Sequence, residues 1–492
     1  MSYHRVGKNA RKWDRKSVLA DEIWMMPRKK QDVLRAIICC PAPYASSMSS
    51  LGMWTLFRLI HDHPCFSPER VVSNWPRQSL DGQHRPSKGA LFAFSINWEM
   101  GFPEMVRILR ENGIPLKTQD RRDSDPIVVA GGIAVTMNPY PLLPFCDLIV
   151  LGDGEEVVGL IMDRLQDCIG QQRERIWSRL DGVPGTLLAA SSSGNNLVNR
   201  TENLEEYPTG PGALSPRAEL GMSFLLEMSR GCDRGCYFCG VSHWKRPARH
   251  RSLQTLRASL PSSLSRDVSV GLIGASAGDH PELKKILHWL HSMGCKLCLP
   301  SLRPDQIDGE IAVVLAECGL RSVSLGVEAG SDDMRRRIGK HLTNDIIFHA
   351  SELLTRSGIK NIKVYLLYGL PGESMEDLDR AVQLLTEIRR IQHSIQGDKA
   401  GKLTLSANPF VPKNGTPFSE EKLLPVQDWI ERRKRLQKAM AQRGIGFGGE
   451  SPRWARLQAI FSKGGQELAD VFVQMAQGVP GMRALKAMGW KV

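Results

Sequence analysis

From Ser223 to Ser406 the chain repeats one pattern six times: a short run of aliphatic and β-branched residues, a loop, and usually a stretch with apolar residues at helical spacing. The runs are 224–228, 268–273, 297–299, 322–327, 362–368 and 403–406, and helical stretches fall at 282–293, 311–318, 343–357 and 375–388. Strands that alternate with helices build a parallel sheet with helices packed outside it. Six such units, at intervals of about 25–45 residues, predict a partial (β/α)6 barrel over 217–445, open because two units of the full eight are missing. Functional groups in such barrels sit at the carboxyl ends of the strands. Just after the first run stand Cys232, Cys236 and Cys239, in the spacing C-x3-C-x2-C.

A second alternation precedes this one. Strands are predicted at 34–40, 91–95, 127–130 and 148–151, with helical spacing over 51–60 and 103–112. A doubly wound, Rossmann-like α/β domain over 35–170 accounts for that order, and its ligands belong beyond the carboxyl ends of its strands. Gly131 and Gly132 end one strand in a turn that admits close approach of backbone to a ligand. Residues 1–34 are polar and basic and read as an arm or a short helix packed on the body. Residues 171–216 read as a linker, broken by Ser191-Ser192-Ser193-Gly194-Asn195-Asn196 and by prolines from Pro208 to Pro216. Residues 446–492 read as short helices, too few for a further barrel.

No apolar run approaches the roughly 20 residues needed to cross a bilayer, and the basic N-terminus lacks the apolar core of a signal peptide, so a cytoplasmic location is expected. Eleven cysteines in 492 residues are too sparse for a disulfide framework and suit reduced thiols, a few of which bind metal. A net charge of +13 favours anionic partners, RNA among them, without choosing one. The basic runs at 5–16, 28–30, 245–251, 335–337 and 432–435 each read as solvated helix faces or a flexible arm.

Thiolates suit zinc and iron–sulfur clusters. Three of them leave one iron of a four-iron cube without a protein ligand, and a substrate or cofactor can bind there. Gly231, Gly235 and Gly240 allow the positive φ angles with which backbone wraps a compact cluster. His243 would complete C-x3-C-x2-C-x3-H, a Cys3His zinc site. Structural zinc, however, serves small modules that fold around it, whereas this loop lies within a long series of strand/helix units. Cys295 and Cys298 read as buried structural thiols.

Cys232, Cys236, Phe238 and Cys239 match C-x3-C-x-aromatic-C, and residues 217–445 resemble the radical S-adenosylmethionine (SAM) superfamily. The resemblance implies an iron–sulfur enzyme in which Cys232, Cys236 and Cys239 hold a [4Fe–4S] cluster and SAM chelates the fourth iron. One electron, from a donor such as flavodoxin or ferredoxin, then cleaves SAM to methionine and a 5′-deoxyadenosyl radical that abstracts a substrate hydrogen. It also implies SAM contacts: Phe238 in the loop; Ser276 and Asp279 for the methionyl amine; Ser301 and Arg303 for ribose and carboxylate; Glu328 for ribose; Lys340 for the carboxylate. Tyr368-Gly369-Leu370-Pro371-Gly372-Glu373 resembles a turn of the methylthiotransferase-like and cobalamin-associated branches, although a β-turn with Glu373 favouring the following helix dipole also explains it.

The earlier half resembles the cobalamin-binding-like domain that precedes the barrel in one branch, through Ser50-Leu51-Gly52-Met53, Phe94-Ser95-Ile96-Asn97, Ala130-Gly131-Gly132 and Leu151-Gly152-Asp153-Gly154. Gly131 and Gly132 would then face cobalamin. No Asp-x-His-x-x-Gly occurs, so either cobalamin binds without a histidine on cobalt or the domain keeps the fold and has lost the cofactor. The reaction implied is radical methylation, or a related modification, of an unactivated carbon in a small or macromolecular substrate. Two rivals are RNA modification of the methylthiotransferase kind and a zinc-dependent nucleic-acid-binding adaptor.

Overall fold

The computed structural model describes residues 13–27, 33–189 and 197–490. Residues 5–12 and 28–30 of the basic runs, and 191–196 of the linker, lie outside these. Among the described residues no helix is long and apolar enough to cross a membrane. The chain divides into two compact units: Ser223–Ala459, and the residues up to Met222 together with those from Ile460 onward.

In the second of these units, the described part of the basic arm is folded. Asp14 caps the short helix Arg15–Ala20, and β1 (Ile23–Trp24) pairs antiparallel with β8 (Ala213–Leu214) at the far end of the predicted linker. The main sheet holds β2 (Leu34–Cys40), β3 (Phe66–Val72), β4 (Leu91–Ser95), β5 (Ile127–Gly131), β6 (Leu148–Val150) and β7 (Thr186–Leu188), in the order β3-β2-β4-β5-β6-β7. All neighbours are parallel except β6 and β7. The parallel strands therefore run 2-1-3-4-5 in chain order, and the winding reverses between β2 and β4, where such sheets open a ligand crevice. Near-continuous burial along β2, β3 and β4 is what a sheet covered on both faces requires.

Arg70 on β3 is fully buried between the rings of Trp24 and Trp54, 4.8 and 5.2 Å from their centroids. Burial opposes its charge, but Asp81 and Glu22 outweigh that effect and hold the guanidinium firmly protonated; its nitrogens lie 2.6 and 2.8 Å from their carboxylates. This pair ties the arm to the sheet. The chain from Ile460 also belongs to this unit. Asn138 donates to the carbonyls of Phe461 and Gly464 at 3.0 and 2.8 Å, and Phe472 packs on Phe102 and Phe461. The tail 446–492 is thus not one separate segment, because its apolar residues have a face to cover.

The Ser223–Ala459 unit begins with β9 (Ser223–Glu227), followed by the antiparallel pair β10 (Ser229–Arg230) and β11 (Arg249–His250) that brackets the cysteine loop. Its parallel strands are β9, β12 (Ser269–Ile273), β13 (Leu297–Cys298), β14 (Ser322–Glu328), β15 (Asn361–Tyr368), β16 (Leu403–Pro409) and β17 (Gly446–Gly448). They form the ladders β13-β12-β9 and β14-β15-β16-β17. A parallel bridge from Leu302 to Leu325 joins the two, with Leu302 N–H donating to Ser324 and Gly326 N–H to Leu302. The six predicted strands are present in chain order. β17 adds a seventh, which the pattern Gly446-Phe447-Gly448 hides because it offers one apolar side chain. Asp308, Ser331, Thr343 and Ser374 cap the helices that follow them.

Arg70→Ala leaves Glu22 buried without its partner and is expected to cost about 3–5 kcal/mol. Urea unfolding followed by tryptophan fluorescence should show the lower midpoint, and an unchanged midpoint would contradict this role.

Candidate functional site

The cysteine loop has little regular structure, so its shape comes from glycine and from neighbours. Gly231 has φ 89°, and a Cβ there would lie 2.1 Å from the Lys245 carbonyl oxygen; Gly235 has φ 69°. Cys232 and Cys236 are buried, while Cys239 is half-buried. Cys239 N–H donates to the Cys236 carbonyl at 3.0 Å, so these two thiols leave one turn. Burial pushes the Cys236 thiol up, and Lys340 and Arg303 pull it back toward the thiolate. His243 Nε2 sits 3.2 Å from the Cys236 carbonyl oxygen, a hydrogen bond that commits this nitrogen to bracing the loop. Among the described residues no three His, Cys, Asp or Glu side chains converge on one ion; a cube does not ask that they do, since each thiolate takes a different iron. A glycine-shaped loop with three thiols, two of them buried, and two cations beside Cys236 fits an iron–sulfur cluster.

Most of the residues assigned to SAM by resemblance converge here. Asp279, just past β12, receives a guanidinium fork from Arg234 inside the cysteine loop, with Nε to Oδ2 at 2.8 Å and Nη2 to Oδ1. Ser276 Oγ also donates to Asp279, and Gln306 donates to Ser276 at 3.1 Å. Burial would raise the Asp279 carboxyl, but hydrogen bonds from Arg234, Ser276 and Gln306 outweigh it and hold it at about 2. Arg234 Nη1 reaches Asp305 at 3.3 Å, Asp305 receives Arg303 Nε at 3.0 Å, and Arg303 Nη2 donates to the Lys340 carbonyl at 3.1 Å. Lys340 Nζ lies 3.5 Å from Glu328 Oε1. Glu328 has φ 74°, where the β14–β15 register shifts, and a non-glycine residue in that region marks strain of the kind found at functional sites. Ser301 is exposed and stands outside this network.

The far side of the loop rests on the segment after β14. Tyr237 N–H donates to Ile338 at 3.0 Å, and a Cβ on Gly339 would press on the Tyr237 ring at 3.0 Å. Phe238 packs on an apolar cluster that includes Ile338, Leu370 and Phe410. Arg335, expected on a solvated face, is fully buried: it donates to the carbonyls of Ala329 and Leu342 at 2.8 and 2.7 Å and so folds the turn that carries Lys340. Arg249 and Arg251, in another run read as solvated, are buried as well. Glu227, at the end of β9, takes Arg230 in a two-point pair at 2.8 Å and Arg251 at 3.0 Å. Burial opposes the Glu227 charge, and the two arginines overcome it. Arg234, Glu227 and Arg335 escaped the sequence reading because their partners lie on other segments of the chain; Arg234's place between two cysteines was the available signal.

In the turn after β15, Glu373 does not serve the helix that follows. Its carboxylate folds back to accept Gly369 N–H at 2.6 Å and meets Arg432 at 3.5 Å. Burial raises its pKa to about 7, with Gly369 and Arg432 opposing. Cys295 and Cys298 are half-buried rather than buried.

In the other unit, Ser50, Gly52, Ser95 and Asn97 gather at the β2/β4 crossover, where a Cβ on Gly52 would stand 3.5 Å from Ser95 Oγ. At Gly132, with φ 113°, the Cβ position lies 2.4 Å from the Ile96 carbonyl oxygen, so glycine here lets two loops of the protein meet. Gly131 has the Val150 carbonyl oxygen at 3.4 Å. His61 and His63 precede β3, at the amino-terminal edge of the sheet, and are held by the Pro27 carbonyl and Asp163.

Two family profiles match this chain: the N-terminal domain of radical SAM proteins over residues 52–188 and the radical SAM superfamily over 226–385. Together they cover more than half of the chain, which belongs to the radical SAM superfamily and is an enzyme of that class. It is 27% identical over 359 residues to an uncharacterised protein of Methanocaldococcus jannaschii, covering 71% of this chain and 74% of that one. It is 22% identical over 266 residues to the ribosomal protein uS12 methylthiotransferase of Thermotoga petrophila, covering 51% of this chain and 62% of the relative. In fold it is similar to TsrM of Kitasatospora setae, a radical SAM methyltransferase solved with tryptophan substrate and a SAM analogue, at TM-score 0.58 and 14% identity over 79% of this chain and 75% of that one. It is also similar to the cobalamin-dependent SAM radical enzyme OxsB with aqua-cobalamin bound, at TM-score 0.55 and 15% identity over 84% of this chain and 62% of that one.

The raised Glu373 pKa carries a pH signature. Its folded value of about 7 exceeds the ordinary 4.5, so the folded state keeps a proton that the unfolded chain has released. The contribution is fully present below about 4.5 and fades as pH rises through about 7, a swing of about 3 kcal/mol. Glu373→Gln should therefore lose less stability than the parent between pH 5 and pH 7.5 in urea titrations. Equal losses would contradict the buried, protonated carboxyl.

Proposed function

We propose that this enzyme holds a [4Fe–4S] cluster on Cys232, Cys236 and Cys239, binds SAM beside it, and methylates or similarly modifies an unactivated carbon, with cobalamin held by the Rossmann-like unit. The observation that carries the reading is convergence: the segments at the ends of β13 and β14 bring Arg303, Glu328 and Lys340 into one hydrogen-bonded chain next to Cys236. When bound, the cluster supplies one electron for reductive cleavage of SAM, and cobalamin supplies a methyl group.

The residues then divide the work. Lys340 and Arg303 offer positive charge to the thiolates and to the SAM carboxylate. Lys340 brings a point charge rather than a fork, so Arg303 supplies the directional hydrogen bonds. Glu328 presents a carboxylate to the ribose hydroxyls from its strained backbone, and Phe238 covers the cluster side with apolar surface that excludes water. Reduction needs a low-potential donor of the flavodoxin or ferredoxin kind. Cobalamin is supported by the sheet order and by OxsB, a cobalamin-dependent neighbour in fold. Ser50, Gly52, Ser95 and Asn97 supply small and polar groups at the crossover for such a ligand, and His61 and His63 lie at the opposite edge.

RNA modification is a second reading, favoured by 22% identity over 277 residues to the tRNA-2-methylthio-N(6)-dimethylallyladenosine synthase of Streptomyces avermitilis, which spans 54% of that relative. Anaerobic reconstitution separates these. We expect about four irons per chain, 5′-deoxyadenosine on addition of dithionite and SAM, its loss in Cys236→Ala, and cobalamin absorption that survives gel filtration. About eight irons per chain without cobalamin would favour the methylthiotransferase reading, and no iron at all would refute the cluster.

A further inference from the structure

We infer that Asp279 is a positioning residue that tethers the cysteine loop through Arg234, rather than the acceptor of the SAM ammonium group. This rests on the proposed cluster and SAM site.

Both oxygens of Asp279 are already engaged. The Arg234 fork takes one oxygen with each arm, and Ser276 Oγ adds a third donor on Oδ2. A carboxylate offers about four lone-pair sites, so an incoming ammonium would find one place left or would have to displace a two-point guanidinium pair, the stronger kind of charge-assisted contact. The donors are themselves fixed. Gln306 donates to Ser276 and accepts from Arg303 N–H at 3.2 Å, and Gly278 leaves room for it, since a Cβ there would lie 2.1 Å from Gln306 Oε1. Arg234 has a second anchor in Asp305.

The place of Arg234 gives the tether its purpose. It lies midway between Cys232 and Cys236, in the stretch where Gly235 removes side-chain restraint from the backbone. Asp233 is pinned from the other side by Ala248 N–H at 3.1 Å. With Arg234 clamped to the β12 and β13 loops, the span between the first two cysteines keeps the shape that a cube requires, while the segment after β14 holds the third through Tyr237. Asp279 thus acts on the cluster through Arg234 and touches neither thiol nor SAM.

The test uses the full-length chain and its variants Asp279→Asn, Arg234→Gln and the double, each reconstituted anaerobically. Two quantities are read: the rate of cluster loss to an iron chelator, and the dissociation constant for SAM by equilibrium dialysis, normalised to cluster content. Each single variant should lose its cluster roughly tenfold faster than the parent, the double no faster than the worse single, as expected for one shared interaction. SAM affinity per cluster should stay within about twofold in all three. Arg234→Lys should restore part of the cluster lifetime, which guards against reading a folding defect as a lost tether. A drop in SAM affinity of about tenfold or more in Asp279→Asn alone, unchanged cluster lifetimes, or additive effects would each overturn the tether. A parent chain that takes up no iron would instead refute the cluster reading on which it rests.

Discussion

A loop of eight residues with three thiols has little backbone ladder to keep its shape, so everything proposed for this enzyme depends on how that loop is gripped. The grip is ionic on one side and apolar on the other. Arg230 and Arg251 close on Glu227 where the loop begins, and Arg234 closes on Asp279 and Asp305 midway. Tyr237 and Phe238 then lean on the segment and apolar cluster around Ile338. These partners stand at the ends of different parallel strands, so the strands' register sets the distance between the cysteines and the groups that face SAM.

The same logic explains why so many charges are buried at this edge. Arg335 lies in the short helix Asp332–Arg337 and Lys340 just after it, and the first is consumed in holding backbone carbonyls so that the second can present its ammonium group. Burying a guanidinium is costly unless its donors are matched, and here carbonyls and carboxylates match them. In the Rossmann-like unit the buried Arg70 plays a comparable part, closing the N-terminal arm over the sheet between two tryptophans. The crossover between β2 and β4 is edged by the small residues Ser50, Gly52 and Ser95.

Much of this was legible in the sequence. Alternating runs gave the six barrel strands and four of the six strands of the other sheet, missing β3, which Pro68, Glu69 and Arg70 interrupt, and the three-residue β7; the spacing of Cys232, Cys236 and Cys239 gave the loop its place after the first barrel strand. Arg303, Glu328 and Lys340 fell where strand ends and family motifs agree, and the structure places them together. The rest was hidden for physical reasons. Gly446-Phe447-Gly448 carries too little apolar signal to mark a strand. Arg335, Arg249 and Arg251 look like solvated charges until the carbonyls and carboxylates that take them are known. Glu373 looks like a helix-start residue until its carboxylate is found turned back to Gly369.

The thiols of this loop are proposed to hold a cluster with one iron open to SAM. Electron paramagnetic resonance of the dithionite-reduced protein tests it most directly, by comparing the spectrum with and without SAM. A reduced four-iron signal whose shape changes on adding SAM is expected, because the ligands of one iron change. A reduced cluster whose signal is indifferent to saturating SAM would contradict it.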